Sequence, residues 1–315
     1  MARYQTGTAA TLDELLTQLR AFAVSHGFTV DYFGPRSAGS GIALQLTHGP
    51  LHATVLTDAA STGTDPGPRI GVYGHAAYQA ASGTETQAEA SAKTWTNAVV
   101  TPLQGYHFFG GSDNARPYLY AALETTPGTY KHFGFGQLIQ HGTFENGTFA
   151  FACRWHYDAT YISNCFASRH AIAFDSGEDS YRHGPSLQVR ADSDAITPRW
   201  YDAHASASRL GGGFRAPNQS YQQRATVTGL VRYGASQITG RTVLTPCWLS
   251  GERTSQLYSP LGFPPNVRWV RLDYLSPGEI LEIGGDRWLC LPIIRKNGSN
   301  GQPNSENYGY AYRID

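Results

Sequence analysis

The stretch TTPGTYKHFGFGQL, Thr125 to Leu138, decides the fold. Pro127-Gly128 signals a turn, and beyond it aromatic residues and glycines alternate with the period of two that marks a strand. In extended form this segment projects Phe133 and Phe135 to one face and His132, Gly134 and Gly136 to the other. The phenylalanines can each add roughly 2–3 kcal/mol by burial in a sheet core. The glycine face is stripped of side chains, so another backbone or an aromatic ring can approach it closely. That is an interface design or a tight intramolecular packing site, and it holds no nucleophile. His132, Gly134 and Gly136 are therefore candidate interface residues. Arg209 and Phe214, at the ends of RLGGGF in a long polar segment, are the other two.

Outward from this strand, the sequence is rich in short β signals and poor in helical ones. The 315 residues exceed the roughly 100–200 of a typical domain, so two units are expected, 1–100 and 101–315. Lys and Arg number 24 and Asp and Glu 24, so no net field recruits nucleic acid or an anionic membrane. No apolar run approaches the roughly 18 residues of a membrane span, and MARYQTGTAATLDELL has no signal-peptide pattern. Cys153, Cys165, Cys247 and Cys290 form no C-x-x-C pair, so neither zinc nor dithiol chemistry is signalled. Buried thiols are expected, with a Cys153–Cys165 bridge left open.

The one strong helix signal is near the start. Thr11, with Glu14 three residues on, makes a capping box, and Leu12, Leu15, Leu16, Leu19, Phe22 and Ala23 then fall on one face. Gly27 offers a left-handed cap. FTVDYF, GIALQLTHG, LHATVLTD and RIGVYGH follow as strands, giving a helix laid on a small antiparallel sheet. Residues 83–95 read as a loop or weak helix. Beyond residue 100, short aromatic bursts predict a sandwich-like or irregular β domain with long loops, above all 175–223. ATVTGLVRYG alternates, and GEILEIGGDRWLCLPIIRK reads as a closing hairpin around Gly284-Gly285-Asp286. Pro292 removes a ladder donor, so its arm is expected at an edge or ending in a bulge. The fold class is thus α+β, mostly β.

The sequence carries few signals of chemistry. GASQITG lacks the second glycine of a nucleophile elbow, and FDSGEDS around Ser176 reads as a polar turn. Glycoside cleavage needs paired carboxylates, and Glu124 and Glu145 beside the aromatic region are the only candidates. Trp155, Trp200, Tyr201 and Trp248 are candidate sugar platforms. The histidines, among them His107, His132, His141 and His156, form no metal-ligand spacing, and Gly211 to Phe214 is no phosphate loop. No catalytic residue, metal or cofactor is assigned.

Several of these stretches also resemble a known family. YHFFGG, then YLYAALETTPGTYKHFGFGQLIQHGTFENGTF, is similar to virion structural proteins of tailed bacteriophages, in which an aromatic strand, an E-x-x-P-G-x-Y-x-H turn and a Gly-aromatic tail run in this order. PLGFPPNVRWVRLDYLSPGEILEIGGDRWLCLPIIRKN and NYGYAYRID resemble the closing hairpin and terminal strand of the same group, and YQTGTAATLDELLTQLRAFAVSHGFTV its N-terminal helix. The resemblance covers about half of the chain and carries no catalytic residue. It implies a structural virion component of the tail, baseplate or head-to-tail region, assembled in the host cytoplasm. The implied partners are other virion proteins and copies of itself, with no nucleic acid as main partner and no membrane insertion. A carbohydrate-binding or carbohydrate-cleaving tail protein that recognises a host surface glycan is the second expectation.

Overall fold

A computed structural model of the chain describes residues 3–59, 67–91, 93–96, 99–113, 115–144, 146–153, 187–191, 199–202, 239, 241–254, 257–296 and 307–315. Within them the protein is α+β and mostly β, with antiparallel sheets stacked on both faces of a central one.

Strand β1 (Tyr4–Gly7) precedes helix α1 (Leu12–Ser25). The helix begins as its capping signal demands: Thr11 Oγ1 accepts from Glu14 N at 3.1 Å, and the Glu14 carboxylate reaches back to Ala10 N at 2.7 Å. It ends in a Schellman arrangement, with Phe28 N bonded to Ala23 O, Gly27 N to Val24 O, and Gly27 at φ +84. Strands β2 (Thr29–Pro35), β3 (Ile42–His48), β4 (Leu51–Asp58), β5 (Arg69–His75) and β6 (Thr94–Trp95) follow as a meander paired in chain order. Residues 83–95, expected as a loop or weak helix, hold no helix among the described residues: a 3-10 turn, Ala80–Ser82, precedes them and β6 ends them.

The central sheet comes next: β7 (Gly105–Asp113), β8 (Arg116–Thr126), β9 (Thr129–Gln137) and, beyond the two-residue β10 (Ile139–Gln140), β11 (Asn146–Ala152). β12 (Leu187–Ala191) and β13 (Arg199–Asp202) extend it, in the order β1-β7-β8-β9-β11-β12-β13. Two of these strands correct the expectation of one long loop over 175–223. Leu187, Val189 and Ala191 alternate in LQVRA and are buried, which is reason enough for a strand. The rest of that region, and ATVTGLVRYG, lie outside the described residues.

β14 (Thr245–Pro246), β17 (Val267–Arg271), β18 (Glu279–Ile283), β19 (Asp286–Pro292) and β20 (Tyr308–Arg313) form the C-terminal sheet, ordered β14-β17-β20-β19-β18. β15 (Leu249–Thr254) and β16 (Leu257–Phe263) pair with β10 in a small third sheet. The predicted hairpin is β18–β19, closed by Gly284 and Gly285 at φ +63 and +89, the signature of a type I′ turn. Pro292 is neither at an edge nor in a bulge. β19 lies between β18 and β20, and Pro292 is its last residue, where a missing donor costs no ladder bond.

The two faces of the central sheet carry separate cores. Phe108, Leu119, Ala121, Leu123, Phe133, Phe135, Ala150 and Ala152 pack with α1 and the inner face of β2–β5. Phe109, Tyr118, Tyr120, Tyr130, Phe149, Phe151, Leu187 and Val189 pack with Trp269, Leu289, Leu291, Tyr308, Tyr310 and Tyr312 of the C-terminal sheet. The boundary expected near residue 100 is crossed twice. β1 pairs with β7, Tyr4 opposite Phe109, and the core under α1 takes residues from both sides of it.

Candidate functional site

His132 and the two glycines lie on one face of β9, as strand alternation requires, and that face is filled by the chain itself. Gly134 stands between Tyr120 of β8 and Phe151 of β11, and Gly136 between Tyr118 and Phe149. The rings lean over the gaps. A Cβ at Gly134 would fall 2.6 Å from the Leu119 carbonyl oxygen and 2.8 Å from Tyr120 Cδ1, and one at Gly136 2.9 Å from the Pro117 oxygen. The glycines are thus required for space. Of the two readings that the sequence leaves open for His132, Gly134 and Gly136, an interface or a tight intramolecular packing site, these contacts fit the second: their neighbours are β8, β11 and the C-terminal sheet. Arg209 and Phe214, the remaining interface candidates, lie outside the described residues.

His132 is fully buried, and both ring nitrogens are used. Nε2 is 2.9 Å from the Pro292 carbonyl and Nδ1 is 2.9 Å from the Tyr312 hydroxyl. A carbonyl only accepts, so Nε2 carries the proton, and neutral Nδ1 accepts from Tyr312. Burial pushes the His132 pKa down to about 4, against a smaller upward pull from the Pro292 bond. Tyr310 stands edge-on to the imidazole at 5.3 Å. The tyrosines of this face are likewise tied: Tyr120 donates to the Pro265 carbonyl at 2.8 Å, and Asn266 Nδ2 donates to Tyr118 Oη at 3.1 Å. At the corner, Tyr130 N bonds Ile294 O at 2.7 Å, joining the two sheets through backbone.

The other candidates separate. Glu124 accepts from Gly128 N at 2.7 Å and so closes the Pro127-Gly128 turn, while Glu145 lies outside the described residues. The two are not shown together as a carboxylate pair. Trp200 lays its ring over Gly74 and donates Nε1–H to the Glu89 carbonyl at 2.7 Å. Trp248 is half-buried, edge-on to His141 at 5.6 Å and to Phe263 at 4.9 Å. Trp155 and the Tyr201 side chain lie outside the described residues. Cys153, Cys247 and Cys290 are buried thiols, with burial raising Cys247 strongly and Cys290 to about 12; Cys165 lies outside the described residues. Neither Cys247 nor Cys290 can supply thiolate near neutral pH.

No family model matches the chain, and no curated protein is similar to it at a significant level.

One polar constellation escaped the sequence reading. On the outer face of the N-terminal sheet, Thr47, His52 and His75 stand directly opposite one another across β3, β4 and β5. Thr47 Oγ1 donates to Asp31 Oδ2 at 2.5 Å and lies 2.7 Å from His52 Nδ1; His75 Nε2 lies 3.2 Å from Thr54 Oγ1. Burial lowers both histidines, His75 to about 4, while Asp31 pulls His52 back up. Chemically this is an Asp31–Thr47–His52 hydrogen-bond chain that fixes the partly exposed His52 imidazole, with the separately bonded His75 ring tilted against it at 5.7 Å. The signal that could have found it is cross-strand register, which requires the turn at Gly49-Pro50 to be placed first. At the opposite ends of the same strands, where Asp58 pairs with Arg69, Arg36 bonds Glu85 at 2.8 Å and Arg69 bonds Asp58 at 3.3 Å, while Lys93 pairs with Glu85. Burial alone would raise the Glu85 pKa, but Arg36 and Lys93 bring it below the ordinary value. These ion pairs pin the segment after β5 onto the sheet. Among the described residues, no group of three or more His, Cys, Asp or Glu side chains is placed to hold a metal, and no helix is long and apolar enough to cross a membrane.

Proposed function

We propose that this chain is a non-enzymatic structural component of a tailed bacteriophage particle. It assembles in the tail, baseplate or neck through contacts with other virion proteins and with copies of itself. The observation that carries this reading is where the phage-like stretches fall in space. The segment 106–149 supplies β7, β8, β9 and the start of β11, and the segment 260–315 supplies most of the sheet packed on it. The YQTG strand and the helix after it add an edge to the first and cover its other face. The resemblance therefore follows a continuous scaffold. In such a scaffold variable connections are free to carry partner contacts. The chemical groups in its core support the same reading, since His132, Tyr118, Tyr120 and Tyr312 spend their polar atoms on internal hydrogen bonds.

The test is to purify virions from an infected culture and locate the chain by mass spectrometry and electron cryo-microscopy. The expected result is a fixed stoichiometry and symmetric copies at one position in the neck, tail or baseplate. Abundance in the lysate with absence from purified particles would contradict the proposal. A glycan-recognising tail protein is the second reading, favoured by the half-buried Trp248 ring held between His141 and Phe263. Loss of host-glycan binding in Trp248→Ala, with folding intact, would support it; binding unaffected by that change would remove its basis.

A further inference from the structure

The C-terminal sheet ends in β18, whose side chains Glu279, Ile280, Glu282 and Ile283 are exposed and which no strand covers among the described residues. Ile280 and Ile283 are 42% and 44% exposed, two of the few large apolar side chains open to solvent on the described surface. An edge strand presents a row of unpaired N–H and C=O groups, a template for pairing with another strand.

The hairpin fixes which backbone groups face outward. A two-residue type I′ loop makes Ile283 and Asp286 a hydrogen-bonded pair, so Leu281 also bonds inward to Trp288. Ile280 and Glu282 are opposite Leu289 and Arg287 in the non-bonded positions, with their N–H and C=O groups directed away from β19. The Arg287 carbonyl confirms the parity, since it turns toward β20 and accepts from Ile314 N at 2.9 Å.

We infer that β18 is a self-association edge, pairing antiparallel with β18 of a second copy about a two-fold axis at Leu281. In that register Ile280 N–H bonds the Glu282 carbonyl of the second copy, Glu282 N–H bonds its Ile280 carbonyl, and symmetry repeats the pair. The same register sets Ile280 opposite Glu282 and Glu279 opposite Ile283, so no two carboxylates are directly opposed. A shift by one residue either way would turn the free backbone groups out of phase, and one of the two shifts would also face Glu279 with Glu282. Glu282 also has Arg287 opposite it on its own hairpin, which offsets its charge at the seam. An isologous contact of this kind closes as a dimer. The occupant is a second copy because the strand matches itself in hydrogen-bond parity and sets each exposed carboxylate opposite an exposed isoleucine. This deepens the proposed function by naming a face for self-contact and rests on that reading only for its biological setting.

The test uses the full-length protein. Sedimentation velocity is measured over a wide concentration range, with amide hydrogen exchange followed residue by residue. A contact built on one short strand falls at the small end of the roughly 1,200–2,000 Å² of specific interfaces, so dimerisation should rise with concentration. Exchange at Ile280 and Glu282 should slow by about tenfold or more as the dimer fills, whereas Leu281 and Ile283 stay protected throughout. Ile280→Pro removes an outward donor and leaves the inward ladder intact; Ile280→Lys keeps the backbone and places a charge on the edge. Both should remain monomeric with the wild-type unfolding temperature. A monomer at every concentration with fast exchange at Ile280 and Glu282 would overturn the inference, as would association that persists in both variants. Either result would leave the virion-localisation test standing on its own.

Discussion

Toward the N-terminus, the central sheet presents Leu119, Ala121, Leu123, Phe133, Phe135, Ala150 and Ala152; toward the C-terminus it presents Tyr118, Tyr120, Tyr130, His132, Phe149 and Phe151 beside Gly134 and Gly136. The strands are the same and the periodicity is the same, yet the packing problems differ. The first face meets an amphipathic helix and an aliphatic sheet, so filling volume without polar atoms is enough. On the second, rings lie over glycines and every hydroxyl needs a partner, so geometry is specified by hydrogen bonds as well as volume. The lesson is that alternation determines which residues share a face, and residue chemistry determines how unforgiving that face is.

This comparison can be broken by substitution. The largest effect is expected on the aliphatic face from Phe135→Ala, about 3–5 kcal/mol of unfolding free energy by denaturant titration, whereas Phe135→Leu should cost about 1 kcal/mol. On the aromatic face even an added methyl should be felt. Gly134→Ala should cost roughly 2–3 kcal/mol, because its Cβ meets a backbone carbonyl that cannot rotate away. Equal tolerance of Phe135→Leu and Gly134→Ala would remove the distinction between the faces. Tyr312→Phe should cost about 1–3 kcal/mol by leaving His132 Nδ1 buried and unsatisfied. Smallest is Thr11→Ala, about 1 kcal/mol, which trims the helix cap and should leave the aromatic face unchanged in near-ultraviolet circular dichroism.

The pH dependence sharpens the same contrast. His132 and His107 on the aromatic face have pKa values lowered by burial to about 4, against roughly 6.5 in an unfolded chain. Between these values the unfolded state binds the protons, so stability is complete above about pH 6.5 and is lost as pH falls toward 4. Each such histidine steepens the loss by at most ~1.4 kcal/mol per pH unit. His75, on the outer N-terminal face, adds to the same slope. Replacing His132 with Gln should flatten the slope between pH 6.5 and 4; an unchanged slope would show that this residue does not carry the linkage.

Much of this was legible in the sequence. Capping residues and heptad-like spacing located α1 to the residue, and alternation placed β2 to β5, the faces of β9 and the final hairpin. What escaped had weak local signals. YQTG is polar and short, and it is a strand only because β7 offers it an edge. LQVRA alternates over five residues inside a polar region, too short to outweigh its surroundings. Pro292 looked like an edge marker, but a strand end satisfies the same constraint. The row of Thr47, His52 and His75 depends on register across strands, and the enclosure of His132 depends on a sheet contributed from more than 150 residues away. Local pattern cannot contain either fact.

The central claim is that the His132 and glycine face is closed within the chain. Nitrogen-15 NMR of the imidazole tests it directly. The account predicts a neutral ring protonated at Nε2, with no titration from pH 8 down to about 5. Ordinary titration near pH 6.5, or a ring protonated at Nδ1, would mean that the face is open and that the Tyr312 and Pro292 contacts do not hold it.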